Sequence, residues 1–296
     1  MPSSTRLPAW LRRPTGLLKD VHDLKALLRS GGLHTVCESA RCPNIGECFR
    51  QGTATFLLLG DRCTRSCGFC AVDKGSPLPP DPGESNQVAR AAGRLALKHV
   101  VLTMVTRDDL PDGGAEHVAE TVRVVRLACP GASIEVLISD LKGDPDALQA
   151  VLSSSPDVLN HNMETVKRLY PKVRPQADYR RSLELFRKAA ALNTGCVLKS
   201  GLMVGLSESF EEVEELLLDL RDAGCSIITV GQYLRAVRTG LPVDRFWQQA
   251  EFDEIEKQGK AIGFKAIIAS PYVRSSFNAG LIYRQIKNRE DKKFSR

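Results

Sequence analysis

The chain has 296 residues, 43% hydrophobic, 26% charged and 6% aromatic, with a formal net charge of +6. That much apolar material buries a sizeable core and excludes a disordered tail protein. No apolar stretch approaches the roughly 18 to 20 residues that span a bilayer, the amino end MPSSTRLPAWLRRPTG lacks a long apolar signal segment, and the basic residues are scattered, so a soluble cytoplasmic protein with no membrane or nucleic-acid partner is expected.

In chain order, residues 1–52 precede any repeating pattern. From Thr55 onward short β-branched apolar runs alternate with amphipathic stretches, the pattern of repeated strand–helix units around a parallel sheet. The first strand is TFLLLG from Thr55, and the Pro- and Gly-rich KGSPLPPDPG that begins at Lys74 reads as a loop. HVVLTMV from His99 is the next strand, followed by a helix whose Val118, Ala119, Val122 and Val125 share one face. SIEVLIS from Ser133, DVLNHN from Asp157 and VLKSGLMVG from Val197 are further strands. A helix then starts at Ser209 with a capping box to Glu212 and stops at Gly224. IITVGQ from Ile227 and AIIAS from Ala266 complete the strands, and the tail Lys287 to Arg296, rich in charge, reads as a frayed solvated end. The expected organisation is an α/β barrel-like core over residues 53–270 between extensions at 1–52 and 271–296.

The nine cysteines are the most informative residues. An odd count in a cytosolic-looking chain argues against a disulfide scaffold. Six of the nine, Cys37, Cys42, Cys48, Cys63, Cys67 and Cys70, crowd into one segment, whereas Cys129, Cys196 and Cys225 stand alone beside apolar residues and read as small buried hydrophobes. Cys63-x3-Cys67-x2-Cys70 follows directly on the first strand, where a parallel barrel displays its chemistry. Three close thiolates hold three corners of an iron–sulfur cube, and with no further cysteine before Cys129 one iron is left open, unlike an electron-transfer ferredoxin. Cys67-x2-Cys70 is also half of a zinc site, but a second pair is missing and His22, His34, His99, His117 and His161 show no H-x3-5-H spacing.

ATFLLLGDRCTRSCGFCAV, from Ala54 to Val72, resembles the signature of radical S-adenosylmethionine (SAM) enzymes, and specifically that of the lipoyl synthases. The resemblance implies that the open iron is chelated by the amino and carboxylate groups of SAM, with Phe69 near the adenine. It also implies that one electron splits the sulfonium to a 5'-deoxyadenosyl radical, chemistry that side chains alone cannot perform. Cys37-x4-Cys42-x5-Cys48, within CESARCPNIGECF, then corresponds to the trio that holds an auxiliary 4Fe-4S cluster in lipoyl synthases. By the same resemblance its fourth ligand is a serine of Arg274-Ser275-Ser276, with Ser275 the expected ligand and Ser276 the alternative. An alkoxide is a harder donor than a thiolate, which suits a corner made to come off. Without the resemblance the two serines read as a turn or a helix cap.

The likeness extends from Pro8 to about Gly280 and includes LTMVTRDDLPDGGAEH from Leu102, NHNMETVKRLYPKVRPQADYRRSLELF from Asn160, KSGLMVGL from Lys199 and TVGQYL from Thr229. By position in these motifs, Thr103, Asn162, Glu164 and Lys199 resemble residues that contact SAM or the reacting end of the substrate. Their plain readings are a helix cap at Met163 for Asn162 and a solvated strand-end charge for Lys199. The chain departs from the family where P-S-x-x-H-L-P-V is common, having Ala236, Val237 and Gly240 before Leu241-Pro242-Val243. It departs again where Tyr-His often follows the paired serines, having Phe277 and Asn278.

The resemblance implies a partial (β/α)6 TIM-like barrel of the radical SAM type with amino- and carboxyl-terminal extensions. It implies two 4Fe-4S clusters, SAM, and a sulfurtransferase reaction that adds sulfur at C6 and C8 of an octanoyl group. The implied partners are an octanoylated carrier, either a 2-oxoacid dehydrogenase E2 domain or a glycine cleavage H protein, and a reductant such as ferredoxin or flavodoxin. Such carriers tend to be acidic, and the net charge here suits steering toward them. The departures bear on substrate contacts and leave a paralogue with altered carrier preference open. The rival readings are another radical SAM sulfur inserter, such as a biotin synthase-like enzyme or a methylthiotransferase, and a two-cluster iron–sulfur protein without catalysis.

Overall fold

The computed structural model describes residues 7–11, 33–39, 42, 44–50 and 54–294; the rest of the expected 1–52 extension lies outside the described residues. A short strand, β1 (His34–Thr35), runs into helix α1 (Val36–Ser39), and α2 (Ile45–Arg50) follows. β1 pairs antiparallel with the first core strand, β2 (Thr55–Leu58), with His34 opposite Leu57. A small parallel pair, β3 (Arg62–Cys63) and β4 (Asp73–Lys74), brackets the second cysteine trio.

Helices and strands then alternate: α3 (Glu84–Arg94), β5 (His99–Met104), α4 (Ala115–Ala128), β6 (Ser133–Leu137), α5 (Pro145–Ser153), β7 (Val158–Asn160), α6 (Tyr170–Val173), α7 (Tyr179–Ala191), β8 (Val197–Val204), α8 (Phe210–Asp222), β9 (Ile227–Gln232), α9 (Gln249–Ile262), β10 (Ala266–Ala269) and α10 (Ala279–Phe294). The main sheet has the order β1-β2-β5-β6-β7-β8-β9-β10, and from β2 to β10 every neighbouring pair is parallel. Six strand–helix units are followed by a seventh parallel strand, so the architecture is the expected α/β partial barrel.

Local chemistry explains these elements. β5 and β9 are buried at every position, as strands covered on both faces must be, and their sequences are correspondingly mostly apolar, with His99, Thr103, Thr229 and Gln232 the polar exceptions. The α4 face of Val118, Ala119, Val122 and Val125 is buried against the sheet. Asp144 caps α5 ahead of Pro145, Asp178 caps α7, and Ser209 and Glu212 cap α8 reciprocally. Of the solitary cysteines, Cys225 is buried, while Cys129 and Cys196 are half-buried at the edge of the core.

The carboxyl end of the chain corrects one expectation. The Lys287–Arg296 tail, read as a frayed end, is helical over its described residues, because α10 continues to Phe294. Its Ile282 and Ile286 pack on Val158, Val197 and Ile227 at the starts of β7, β8 and β9, and Glu290 pairs with Lys265 and Lys287. Gly280 lies so close to β5 that a side-chain carbon there would stand 2.6 Å from His99 Cβ. α10 thus closes the amino-terminal end of the barrel and leaves the carboxyl ends of the strands for chemistry. Among the described residues, no helix is long and apolar enough to cross a membrane.

Candidate active site

The second trio sits on a loop anchored from all sides. Thr64 bonds Thr106 through its N–H (3.1 Å) and its hydroxyl (2.9 Å), and Gly68 N–H donates to Val173 O at 2.9 Å. Arg65, between Cys63 and Cys67, points inward: Nε donates to Asp108 Oδ2 at 2.7 Å and Nη2 to Asp140 Oδ1 at 2.6 Å. Asp140 is fully buried and also accepts from Arg181 Nε at 2.9 Å. Desolvation works to raise the Asp140 carboxyl, but Arg65 and then Arg181 hold it down at about 2. A fixed ionic frame therefore lies beneath the cysteine loop. Sequence patterns gave no sign of it.

The three thiols and their neighbours form one electrostatic group. Burial, followed by repulsion from Cys67 and Cys63, pushes the Cys70 thiol up to about 11. Burial raises Cys67 as well; Arg174 and Arg65 draw it down while Glu164 and Cys63 push it up. Arg174 is buried, and its Nη1 donates to Asn162 O (2.7 Å) and to Met163 O (3.2 Å). Cys67 and Cys70, which burial makes resist ionisation, gathered with Cys63 fit a site completed by cationic iron. Among the described residues no three Cys, His, Asp or Glu side chains are gathered tightly enough to hold one ion. A cube asks for a different arrangement, with each thiolate on its own iron. Phe69 is half-buried against the core beside this loop, and Thr103 Oγ1 donates to Leu137 O at 3.2 Å.

Asn162 and Glu164 come together directly: Asn162 Nδ2 donates to Glu164 Oε1 at 3.0 Å. Asn162 does not cap a helix at Met163. The chain there turns through a left-handed Glu164 (φ 66°), which bridges to Leu202, so no helix can start. Desolvation raises the Glu164 carboxyl, against the pull of Arg174, the Asn162 bond and Arg274. Lys199 is not a solvated charge. It is buried deeper in the barrel, where Nζ donates to Glu135 Oε1 at 2.8 Å and Oε2 at 3.0 Å.

The first trio belongs to the amino-terminal extension. Cys37 lies on α1, Cys42 N–H donates to Cys37 O at 3.0 Å, and Cys48 lies on α2. Burial, then Cys42, pushes Cys37 up to about 11; burial, then Cys42, Cys37 and Glu47, pushes Cys48 up to about 12. This trio is held to the carboxyl-terminal extension: Asn44 Nδ2 donates to Tyr272 O at 2.6 Å, and Arg274 draws down the Cys42 thiol, which burial raises overall. Arg274 acts on Glu164 too, so one cation faces both trios' surroundings.

Ser275 stands at the junction. Asn160 Nδ2 donates to Ser275 Oγ at 2.7 Å, and Ser275 Oγ donates to Asn162 Oδ1 at 2.8 Å. A serine hydroxyl has one proton and two lone pairs, so these bonds leave one lone pair for a metal, which Ser275 would bind as a neutral hydroxyl and not as the alkoxide considered from the sequence. Ser276 instead marks the approach to α10, its carbonyl accepting from Ala279 N–H at 3.4 Å. The path of residues 271–277 over the barrel depends on missing side chains. A carbon on Gly231 would lie 2.1 Å from Val273 O, and one on Gly201 would lie 2.9 Å from Asn162 Oδ1.

Two cavities flank the site. One of about 470 Å³ lies on the outer side between α5 and α7, lined by Asp144, Leu148, Arg181 and Lys188 among others. The other, about 230 Å³, is walled by Val173, Leu206, Leu241 and Val243. The smaller one adjoins the chemistry, since Leu241 N–H donates to Gly68 O at 2.9 Å.

The sequence matches the Radical SAM superfamily over residues 57–220. A lipoyl synthase of Nitratidesulfovibrio vulgaris (strain DP4) is 50% identical over 283 residues, covering 96% of this chain and 94% of that one. A lipoyl synthase of Caldanaerobacter subterraneus subsp. tengcongensis is 49% identical over 276 residues, covering 93% of this chain and 96% of its own. In fold the chain is similar to the FeFe-hydrogenase maturase HydG of Carboxydothermus hydrogenoformans, with TM-score 0.58 and 14% identity over 90% of this chain and 68% of that one. It is likewise similar to methylornithine synthase, with TM-score 0.57 and 16% identity over 88% and 85% of the two chains.

Proposed function

This chain belongs to the lipoyl synthase family of the Radical SAM superfamily, and from that premise we propose that it inserts sulfur at C6 and C8 of an octanoyl chain held in amide linkage on a lysine of a carrier protein, giving the lipoyl group. The observation that carries this reading is the hydrogen-bonded path from Glu164 through Asn162 to Ser275. It joins the surroundings of one cysteine trio to the serine that would complete the other. A sulfur donor and a radical source must share one cavity, because a carbon radical has to meet sulfur before anything else.

Cys63, Cys67 and Cys70 would hold the cluster that binds SAM, and Cys37, Cys42, Cys48 and Ser275 the auxiliary one. When bound, these groups supply the electron, the hydrogen-abstracting radical and the sulfur. The protein's share is position and charge. Asn162 and Glu164 present an amide and a carboxylate beside Cys67, and the buried Arg174 offsets the negative charge collected there. Phe69 and Thr103 lie along the same end of the barrel. Lys199, tied to Glu135 in the barrel interior, is proposed with Thr103 as a further contact to SAM or the reacting end of the substrate.

The proposed carrier is a 2-oxoacid dehydrogenase E2 domain or a glycine cleavage H protein, and the proposed reductant a ferredoxin or flavodoxin, in the cytoplasm. Anaerobically reconstituted protein, given SAM, dithionite and an octanoyl-lysyl peptide, is expected to hold about eight irons per chain, as two cubes require. Mass spectrometry should find 5'-deoxyadenosine and a lipoyl-lysyl peptide. Nucleoside without sulfur in the peptide would refute the sulfur insertion, and no nucleoside at all would point to a non-catalytic iron–sulfur protein.

A further inference from the structure

Below Ser275 the barrel interior holds a buried ion pair. Glu135 on β6 and Lys199 on β8 are each 1% exposed, and Lys199 Nζ contacts both carboxylate oxygens, at 2.8 and 3.0 Å. A pair buried this deeply contributes little net stability, since removing both charges from water offsets most of their attraction. Apolar residues would fill the space as well, so stability alone does not account for the pair.

What the pair does is visible one strand away. Asn160 ends β7, in register with Lys199, and its Nδ2 donates to Glu135 Oε1 at 2.9 Å and to Ser275 Oγ at 2.7 Å. The amide has two ways round, and the charge on Glu135 admits one. Its carbonyl oxygen cannot face a carboxylate. Asn160 Oδ1 is left buried without a hydrogen-bond partner, so the orientation is imposed by Glu135 rather than chosen for the amide's own bonding. The consequence runs outward. With Asn160 obliged to donate, Ser275 must accept on one lone pair and send its proton to Asn162 Oδ1, 2.8 Å away, whose own amide donates to Glu164. Two carboxylates, Glu135 below and Glu164 above, thus set the sense of the whole chain.

We propose that Glu135, held by Lys199, is a positioning residue for Ser275, fixing through Asn160 which way the serine hydroxyl points and so which lone pair it offers to the cluster of the first cysteine trio. This rests on the reading that Ser275 is that cluster's fourth ligand.

The test uses reconstituted full-length protein with saturating SAM, challenged anaerobically with an iron chelator and followed by iron release and by Mössbauer spectroscopy of enriched iron. The variants are Ser275→Ala and the double variant Glu135→Gln/Lys199→Met, which removes the charge at Asn160 without stranding a buried ammonium; near-ultraviolet circular dichroism checks their folding. The double variant should release one iron per chain about 10- to 100-fold faster than the unaltered protein, the range expected when support to a metal ligand is lost, and should lose the spectral signature of the oxygen-bound iron. Ser275→Ala, which removes the ligand itself, should release that iron at least as fast. Asn160→Leu, with both charges in place, should do the same and serves if the double variant does not fold. Unaltered release in the double variant and in Asn160→Leu, beside accelerated release in Ser275→Ala, overturns the positioning role alone. Unaltered release in Ser275→Ala overturns the ligand assignment, and the proposal with it.

Discussion

Replacing Gly231 with alanine tests how Ser275 reaches the barrel. The new carbon would stand 2.1 Å from Val273 O and 2.9 Å from Arg274 Nη1. Carbon and carbonyl oxygen approach comfortably at about 3.3 Å, so the 271–277 segment must lift by about 1.2 Å. Ser275, two residues on, is held at 2.7 and 2.8 Å by Asn160 and Asn162. Lifted by that amount, both bonds pass beyond hydrogen-bonding range. The overpacking itself should cost about 1–3 kcal/mol, tolerable for a chain of this size, so the protein should fold. The expected result is a Gly231→Ala protein with a circular dichroism spectrum like the parent, continued SAM cleavage, and loss of sulfur insertion into an octanoyl-lysyl peptide. Full sulfur insertion by Gly231→Ala would refute the reasoning that this close approach sets the serine's position.

Three further outcomes are expected. Cys42→Ala should retain some SAM cleavage while sulfur insertion disappears; equal loss of both in folded protein would sink the division of labour between the trios. Arg65→Met leaves the fully buried Asp140 to Arg181 alone, which should destabilise the chain by about 3 kcal/mol in urea denaturation. Arg65→Lys should recover only part of this, because an ammonium cannot fork between Asp108 and Asp140. His161 is buried between Ile138 O at 2.9 Å and Ser182 Oγ at 3.0 Å, and burial, then Arg174, lowers it from 6.5 to about 4. Between those values the unfolded chain takes up a proton that the folded chain refuses, so stability should fall as pH drops through that window, by up to about 1.4 kcal/mol per unit. Urea midpoints from pH 7 to 4 should show this slope, and an undiminished slope in His161→Gln would assign it elsewhere.

The strands were legible because a strand buried on both faces has no choice but to be apolar, and IITVGQ coincides with β9 at both ends. Both trios were legible because their spacing is local. The network that orients them was not, since Arg65 reaches Asp140 across 75 residues and Asn160 reaches Ser275 across 115. One signal was present all the same: SIEVLIS and VLKSGLMVG each carry a single charge in an apolar strand, and opposite charges so placed must pair. The tail misled for the opposite reason. It was read apart from Ile282, Tyr283 and Ile286 just ahead of it, an apolar stripe sufficient to hold a helix that runs on into the charged stretch against the barrel floor.

The first of the two departures from the family pattern, at Ala236, Val237 and Gly240, falls on the irregular segment between β9 and α9. Its ends are clamped by Gln232, buried at the end of β9: Nε2 donates to Tyr233 O and Arg245 O, each at 3.1 Å, and Oε1 accepts from Trp247 N–H at 2.9 Å. Its middle is held by Tyr233 Oη donating to Leu241 O at 2.8 Å and by Leu241 packing over Gly68, where any side chain would come within 2.8 Å of it. None of these contacts uses the side chain of Ala236, Val237 or Gly240. Gln232, Tyr233 and Leu241 lie in stretches that follow the family pattern, TVGQYL and Leu241-Pro242-Val243. The segment is therefore seated on the second cysteine loop by residues this chain retains. The missing hydroxyl and imidazole change what the segment presents without changing where it lies, so a difference from other lipoyl synthases should appear in substrate or carrier affinity before it appears in cluster content.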